Sequence, residues 1–531
     1  MTSVRSHAPT IDPSPADPGR PSPTADPGRP SSRHPWRPLL VRLHFYAGVL
    51  TAPFVILVCL SGLAYALTPQ LDRLVYANDL VADPAGRAPL PLADQVAAAV
   101  RSQPTLALAG VRLPDSPQET TEVNFADPAL TAQMAARTVY VDPYTGAVRG
   151  SLVTRHGTTP LTTWLGQFHA NLQLGQPGRV YAELASAWLL FVAFGGLFLW
   201  WERARRHQRT GSPRFWRRLL WPDRSRPGLH RTMSWHSTVG LWALVIVVVL
   251  AVTGLLISPY AGTRWTALST AAGWTAPRLD ATLPVSAANP AQGSPNSAGA
   301  DEHSGHAGHG GGGSAARVPG VMPAGRSVDE IVEAAARAGI TDGVSLTTPA
   351  RPGTGWTVAE TDLQWPVHLD QAVIDPTTGA VVRTLPWEAW PLGAQIYRLT
   401  LFFHFGRTFG GLNQILLIVA MVGALASSWW GYRMWWQRRP RRSGRPGWRP
   451  GRAPRRGAWR AAPRGRLAAA VALTIGLVWA MPVFGVTLAV FLVIDALLGL
   501  RHRHPDAPPP APEAELVDAS AASDGELTPS C

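Results

Sequence analysis

Arg42-Leu-His44-Phe-Tyr-Ala-Gly48 and Ser234-Trp-His236-Ser-Thr-Val-Gly240 are two versions of one phrase, and each opens a long apolar run. The runs close on Ser61-Gly-Leu63 and Thr253-Gly-Leu255. Beyond them, Val139-Tyr-Val-Asp142-Pro143-Tyr-Thr-Gly146-Ala-Val148 matches Ala372-Val-Ile-Asp375-Pro376-Thr-Thr-Gly379-Ala-Val381. Gln167-Phe-His169 then matches Phe402-Phe-His404. The same landmarks recur in the same order, 192 residues apart for His44 and His236 and 235 apart for His169 and His404. An ordered set of this kind reads as an internal duplication.

Four apolar runs, Ala47–Leu67, Val180–Trp200, Thr238–Ser258 and about Leu412–Trp436, have the length of a membrane span. Each holds roughly the 20 residues that cross about 30 Å of hydrocarbon as a helix. The first lies too deep in the chain for a signal peptide, and no small-residue cleavage site follows it. A fifth stretch, Leu467–Leu500, is too long for one straight span at about 1.5 Å per residue. Pro482 and Gly485 interrupt it, which predicts a hairpin of two short helices, with one long tilted helix as the alternative.

Charge sets the orientation. The chain carries a formal net charge of +14, yet charged residues make up only 15% of it, and Lys and Arg cluster beside the apolar runs. That is a topology signal rather than a nucleic-acid surface. Segments 202–231 and 433–466 are heavily basic and are expected to be cytoplasmic, with the N-terminus. The Trp200–Trp201 and Trp435–Trp436 pairs fit an interfacial aromatic belt.

The predicted order is a disordered cytoplasmic tail (1–35), a first span (36–67), an outside domain (68–179), a second span (180–201) and a basic loop (202–237). A third span (238–258), a second outside domain (259–410), a fourth span (411–436), a basic loop (437–466), the hairpin (467–500) and a disordered tail (501–531) follow. The fold class is thus a membrane α-helical bundle of four core spans plus a C-terminal hairpin, with two α+β extracytoplasmic domains. In each domain an amphipathic helix, about 91–102 and 327–339, precedes alternating strand-like segments. Asp142-Pro143 and Asp375-Pro376, each followed by a Thr-Gly pair, read as hairpin turn chemistry.

Several chemistries are absent. Two cysteines, Cys59 and Cys531, allow no disulfide framework, zinc knuckle or C-x-x-C-H haem attachment. No G-x-G-x-x-G follows a strand, no P-loop occurs, and the cytoplasmic loops are too short for a flavin or nucleotide domain. No Ser/His/Asp or H-E-x-x-H arrangement suggests hydrolysis.

The L-H-x-x-x-G helix start, the D-P-x-T-G hairpin, the F-H before the return helix and the W-W-x-R exit resemble the PepSY-associated transmembrane family. The resemblance covers about residues 36–500, apart from the loop near 280–320. It implies two periplasmic PepSY-like domains on a helical core in the bacterial inner membrane. The family includes iron-regulated proteins, and some members are haem-containing reductases of ferric siderophores. A ferric siderophore or similar periplasmic iron acceptor is therefore the partner that the resemblance implies. The electron donor would be membrane quinol or a separate reductase.

The residues make their own argument for haem b. A histidine at the end of a membrane helix is costly without a partner. His44 and His236 open spans that run in the same direction, so they are expected at one cytoplasmic depth. His169 and His404 precede the return spans and are expected at one outside depth. Two planes of paired histidines suggest two stacked haems and an electron path across the bilayer. Gly48 and Gly240 lie one turn deeper on each histidine's face, where a missing side chain leaves room for a ring edge. Arg42, Arg179, Arg231 and Arg407 lie near these positions and could pair propionates or anchor headgroups.

Two other readings stand beside this one. The histidines could cap helices or bond carbonyls in a non-catalytic PepSY-domain sensor or accessory protein with a protein partner. Alternatively, His303, His306 and His309, spaced H-x-x-H-x-x-H in a Gly-rich outside loop, could hold Cu²⁺ or Zn²⁺ loosely.

Overall fold

The computed structural model describes residues 37–208, 217, 220–225, 227–284, 317–438, 441–442, 445–446 and 464–501. The 1–35 tail, the loop with His303, His306 and His309, and the tail beyond Arg501 lie outside the described residues.

Helix α1 (Arg37–Ala66) leads through α2 (Thr68–Val75) and α3 (Ala77–Leu80) into α4 (Leu92–Ser102). Strands β1 (Ala107–Arg112), β2 (Thr121–Ala126), β3 (Ala135–Val141) and β4 (Val148–Arg155) follow, and then α5 (Pro160–Asn171) and α6 (Gln176–Gln208). The second half opens with α7 (Gly228–Leu256), α8 (Ala261–Ala271) and α9 (Val328–Arg337). It continues through β5 (Val344–Thr347), β6 (Trp356–Glu360), β7 (Gln371–Ile374) and β8 (Val381–Leu385) to α10 (Leu392–His404) and α11 (Gly411–Gln437). Two apolar helices, α12 (Arg464–Ala480) and α13 (Pro482–Arg501), complete the described chain.

Four of these helices, within α1, α6, α7 and α11, are long and apolar enough to cross a membrane. They turn large apolar side chains such as Leu50, Phe194, Val245 and Val419 outward, which suits a lipid surround. Helix α1 packs against α6 and α11, and α7 packs against the same two. The first and third spans therefore face each other across a four-helix bundle. Helix α7 starts ten residues before the apolar run at Thr238, because nothing breaks the helix until Pro227. His236 accordingly lies inside the helix rather than at its mouth.

The terminal stretch is two helices, parted at Met481. Pro482 opens the second, having no N–H to continue the first. Gly485 permits close approach there, since a Cβ on it would fall 2.5 Å from Val478 Cγ1. Helix α13 then lies along α6, with Phe484 against Trp188 and Phe191. Further along, Asp495 pairs with buried Arg42 of α1.

Where the sequence suggests two outside domains, the structure joins their strands into one eight-stranded antiparallel sheet. The strand order is β4-β3-β2-β1-β5-β6-β7-β8. Each four-stranded meander leaves its first strand as an edge with unpaired backbone groups, and pairing the two edges satisfies both. The seam aligns Gly110 with Thr347, Val111 with Leu346 and Arg112 with Ser345. Gly110 makes it possible, because a Cβ there would stand 2.5 Å from the Leu346 carbonyl oxygen. Helices α4 and α9 cover the sheet, and Val96, Val111, Phe125, Ile331, Leu346 and Trp356 share one core. The burial in α4 falls on Leu92, Gln95, Val96, Ala99 and Val100, one helical face. Helix α9 begins with a capping box of Ser327 and Glu330.

Both Asp-Pro hairpins are turns. Asp142 Oδ1 accepts the N–H groups of Tyr144 at 2.9 Å and Thr145 at 3.2 Å, and Gly146 has φ +68°. Asp375 Oδ1 accepts from Thr377 at 2.7 Å and Thr378 at 3.2 Å, and Gly379 has φ +73°.

Candidate functional site

The bundle brings four histidines together as two pairs. His44 on α1 faces His236 on α7, with ring centres 6.3 Å apart and planes at 75°. His169 on α5 faces His404 on α10, again at 6.3 Å, with planes at 57°. Ser61 lies 17 residues after His44, and Thr253 lies 17 after His236. Because Ser61 and Thr253 contact the second pair, the two pairs are separated by about 25 Å along the bundle. Each pair thus lies towards one end of the spans.

The tail end of each spanning helix holds the second pair. His169 Nδ1 is 3.0 Å from Ser61 Oγ, and His404 Nδ1 is 2.6 Å from Thr253 Oγ1. Both hydroxyls already donate backwards along their own helices, Ser61 to the Val58 carbonyl at 3.0 Å and Thr253 to the Val249 carbonyl at 2.8 Å. Their oxygens therefore accept from the rings, which assigns the proton to Nδ1 in each ring.

The first pair uses peptide carbonyls instead. His236 Nδ1 donates to the Ser427 carbonyl of α11 at 2.9 Å. His44 Nδ1 is buried beside the Val192 carbonyl of α6, without a hydrogen bond of normal geometry. Ser427 lies 235 residues after Val192, the offset that also relates His404 to His169. Among the described residues, none of the four Nε2 atoms has a hydrogen-bond partner, and none of the rings is fully buried.

Glycines of neighbouring helices cradle the rings. A Cβ on Gly62 would fall 3.0 Å from His169 Cε1, and one on Gly196 would fall 3.1 Å from His44 Cε1. Gly254 and Gly431 stand in the same relation to His404 and His236, at a looser 3.9 Å each. The expectation had fallen on Gly48 and Gly240, on the histidines' own helices. A Cβ on Gly48 would meet nothing within 4 Å, so this glycine borders open space, and Gly240 faces Ser427 Oγ at 3.6 Å. Which helix supplies a neighbour is a tertiary matter that spacing along one helix does not encode.

The arginines divide differently from the sequence reading. Arg42 is committed to Asp495 and stacks over Tyr46 at 5.7 Å. Arg179, Arg231 and Arg407 are exposed. A buried arginine that went unremarked in the sequence, Arg398 on α10, lies over Trp390 and Phe402 at 5.6 and 5.2 Å.

The β6–β7 hairpin meets the loop that follows His404. Its Trp365 packs on Phe409, in the loop just after His404, at 6.4 Å between ring centres. At its base Asp342, Glu360 and His368 bring potential ligand atoms within 4.8 Å of one another. The Glu360 carboxylate is already engaged by the N–H groups of Thr341 at 3.0 Å and Asp370 at 3.2 Å. That arrangement is a clasp on strand ends rather than a preformed ion cage.

A helical bundle that crosses a membrane, capped by an antiparallel sheet and threaded by paired histidines, defines a class of multi-span membrane protein. The chain belongs to the PepSY-associated TM region family, whose model matches residues 41–438. The match takes in all four spanning helices and the whole sheet, and stops before α12 and α13. No curated protein matches the chain.

Proposed function

We propose that the protein is a di-haem b electron-transfer protein of the bacterial inner membrane. It passes electrons from membrane quinol or a separate reductase to a periplasmic ferric siderophore or similar iron acceptor. The observation that carries this reading is the pair of imidazole pairs, in which Nδ1 of His236, His169 and His404 meets a helix oxygen and no Nε2 has a hydrogen-bond partner among the described residues. A histidine that would hold haem iron through Nε2 would carry its proton on Nδ1 and donate it outward. Two metal–nitrogen bonds of about 2.0 Å set opposed imidazole centres roughly 6 Å apart, and both pairs have that spacing, 6.3 Å. Gly48, one turn along from His44, borders open space into which a porphyrin edge would fit.

His44 and His236 would hold one haem near the cytoplasmic face and His169 and His404 the other near the periplasm. The haems would supply reversible one-electron iron chemistry. The chain's own part is to fix four ring orientations and to exclude water with the bundle. It also ties the sheet to the loop after His404, through Trp365 and Phe409. On this reading the chain is a duplicated unit with PepSY-like periplasmic domains and a cytoplasmic N-terminus. The matched offsets of 192 and 235 residues in the histidines and their hydrogen-bond partners support the duplication.

The test is the reduced-minus-oxidised spectrum of the purified full chain from haem-replete cells. Two b-type components are expected, with one lost in His44→Ala or His236→Ala and the other in His169→Ala or His404→Ala. Colourless, well-folded protein would overturn the proposal and favour the sensor or accessory reading.

A further inference from the structure

The two histidine pairs differ in whether a side-chain hydroxyl meets Nδ1, and the difference follows the two halves of the chain. At the first pair the Ser427 carbonyl accepts from His236, while the His44 ring lies beside the Val192 backbone with no hydrogen bond at Nδ1. At the second pair side-chain hydroxyls of the outgoing helices, Ser61 and Thr253, join the backbone of Val58 and Leu250 beside the rings. A peptide carbonyl cannot be changed without rebuilding a helix, whereas a hydroxyl is one side chain. Both hydroxyls are buried, Ser61 at 3% and Thr253 at 2% exposure, and each is clamped to its own helix by the bond to an earlier carbonyl. Each is followed by the glycine, Gly62 or Gly254, that lies against the same ring. A two-residue Ser/Thr-Gly unit thus orients the imidazole with its first residue and makes room for it with its second.

We infer that Ser61 and Thr253 are positioning residues for the outer pair. They hold His169 and His404 in the Nδ1–H tautomer, aim each Nε2 at the space between the rings and set the electron-donating strength of this pair independently of the inner one. The inference rests on the proposed haem-binding role of the four histidines. A ring that donates from Nδ1 is a stronger base at Nε2, so it stabilises the ferric over the ferrous state. Removing the hydroxyl weakens that push at the outer pair and leaves the inner pair, about 25 Å away, untouched.

The experiment is a spectroelectrochemical titration of the purified full chain, with His169→Ala and His404→Ala used to assign the outer component. Ser61→Ala and Thr253→Ala are expected to raise the outer midpoint potential without moving the inner one. They should also lower outer-haem affinity by ~10–100-fold, the usual effect of losing such a partner. Ser61→Thr and Thr253→Ser, which keep a hydroxyl, should restore both properties; a merely structural role would not distinguish the hydroxyl in this way. Unmoved outer potential and retention in both alanine variants of a chain that carries two haems would overturn this inference alone. A wild-type chain with no haem would overturn it together with the reading on which it rests.

Discussion

Asp329 and Leu92 belong to different halves of the chain, yet the Asp329 carboxylate caps the helix that Leu92 begins. Its oxygens accept the N–H of Leu92 at 2.7 Å and of Ala93 at 2.9 Å. Orphan amides at a helix start are ordinarily met by a residue just before them, but here Pro91 holds that position and offers no side-chain acceptor. The partner comes from the first turn of α9. Asp329→Ala should therefore destabilise α4, at a cost of about 0.5–2 kcal/mol typical of a lost cap. Hydrogen exchange of the α4 amides in the intact protein would register it, and unchanged protection would refute the assignment.

The Asp-Pro turns contribute a stability that acid removes. Burial opposes the charge on Asp142, but the Tyr144 N–H, the Arg149 guanidinium at 2.7 Å and the Thr145 N–H more than offset it, and its pKa is lowered. At Asp375 the Thr377 hydroxyl is the largest influence, burial opposes it, and the N–H groups of Thr377 and Thr378 add to the lowering, so the pKa is again lowered. A carboxyl depressed in the folded state contributes stability that is complete above the unfolded value of about 3.9. That stability is lost as pH falls through the lower folded value. Asp142→Asn should thus cost stability at pH 7 and flatten its loss below about pH 4. A thermal melt series across this range checks both, and parallel curves for the two proteins would count against the turn's role.

The cradle glycines make a graded prediction. Gly196→Ala would press on His44 Cε1 at 3.1 Å, and Gly62→Ala would press at 3.0 Å on both His169 Cε1 and Met421 Sδ. Gly195→Ala meets His44 Nδ1 at an ordinary 3.6 Å. The first two should cost about 1–3 kcal/mol, as overpacked sites do, and the third much less. Gly48→Ala should leave stability unchanged while lowering haem content. Equal melting temperatures for the Gly195 and Gly196 variants would show the cradle to be loose.

Arg42 and Asp495 fasten the terminal helix to the bundle. Arg42 is only 6% exposed, so Asp495→Ala leaves a buried cation without this partner. Breaking a buried pair costs roughly 3–5 kcal/mol, and the 29% exposure of the Asp495 side chain argues for the lower part of that range. Arg42→Ala combined with Asp495→Ala should be less damaging than the sum of the single changes. Additive losses in a double-mutant cycle would mean that the pair does not couple the helices.

Much of this is legible in the sequence. The spans follow from apolar length, α4 and α9 from their periodicity, and the turns from Asp, Pro and Gly at fixed offsets. The matching of His44 with His236 and of His169 with His404 followed from the recurring order of landmarks rather than from any single motif. Ser61-Gly62 and Thr253-Gly254 were visible as such landmarks, but nothing local says that they meet His169 and His404 from another helix. The β1–β5 seam was invisible for a related reason: a strand's alternation fixes its faces, not which edge it joins. Arg42 pointed the other way. Its neighbourhood to His44 in sequence suggested an anion at the site, and Asp495, 453 residues on, took it instead.

The seam has a mechanical consequence. Because Val111 and Leu346 are ladder partners, the two halves cannot swing apart, slide or be expressed separately without tearing a strand pair. Each severed half would present a bare edge, ready to recruit another chain. A load or ligand felt by either end of the sheet is therefore transmitted to the whole as to a single plate. Under force, the two halves of the sheet behave as one.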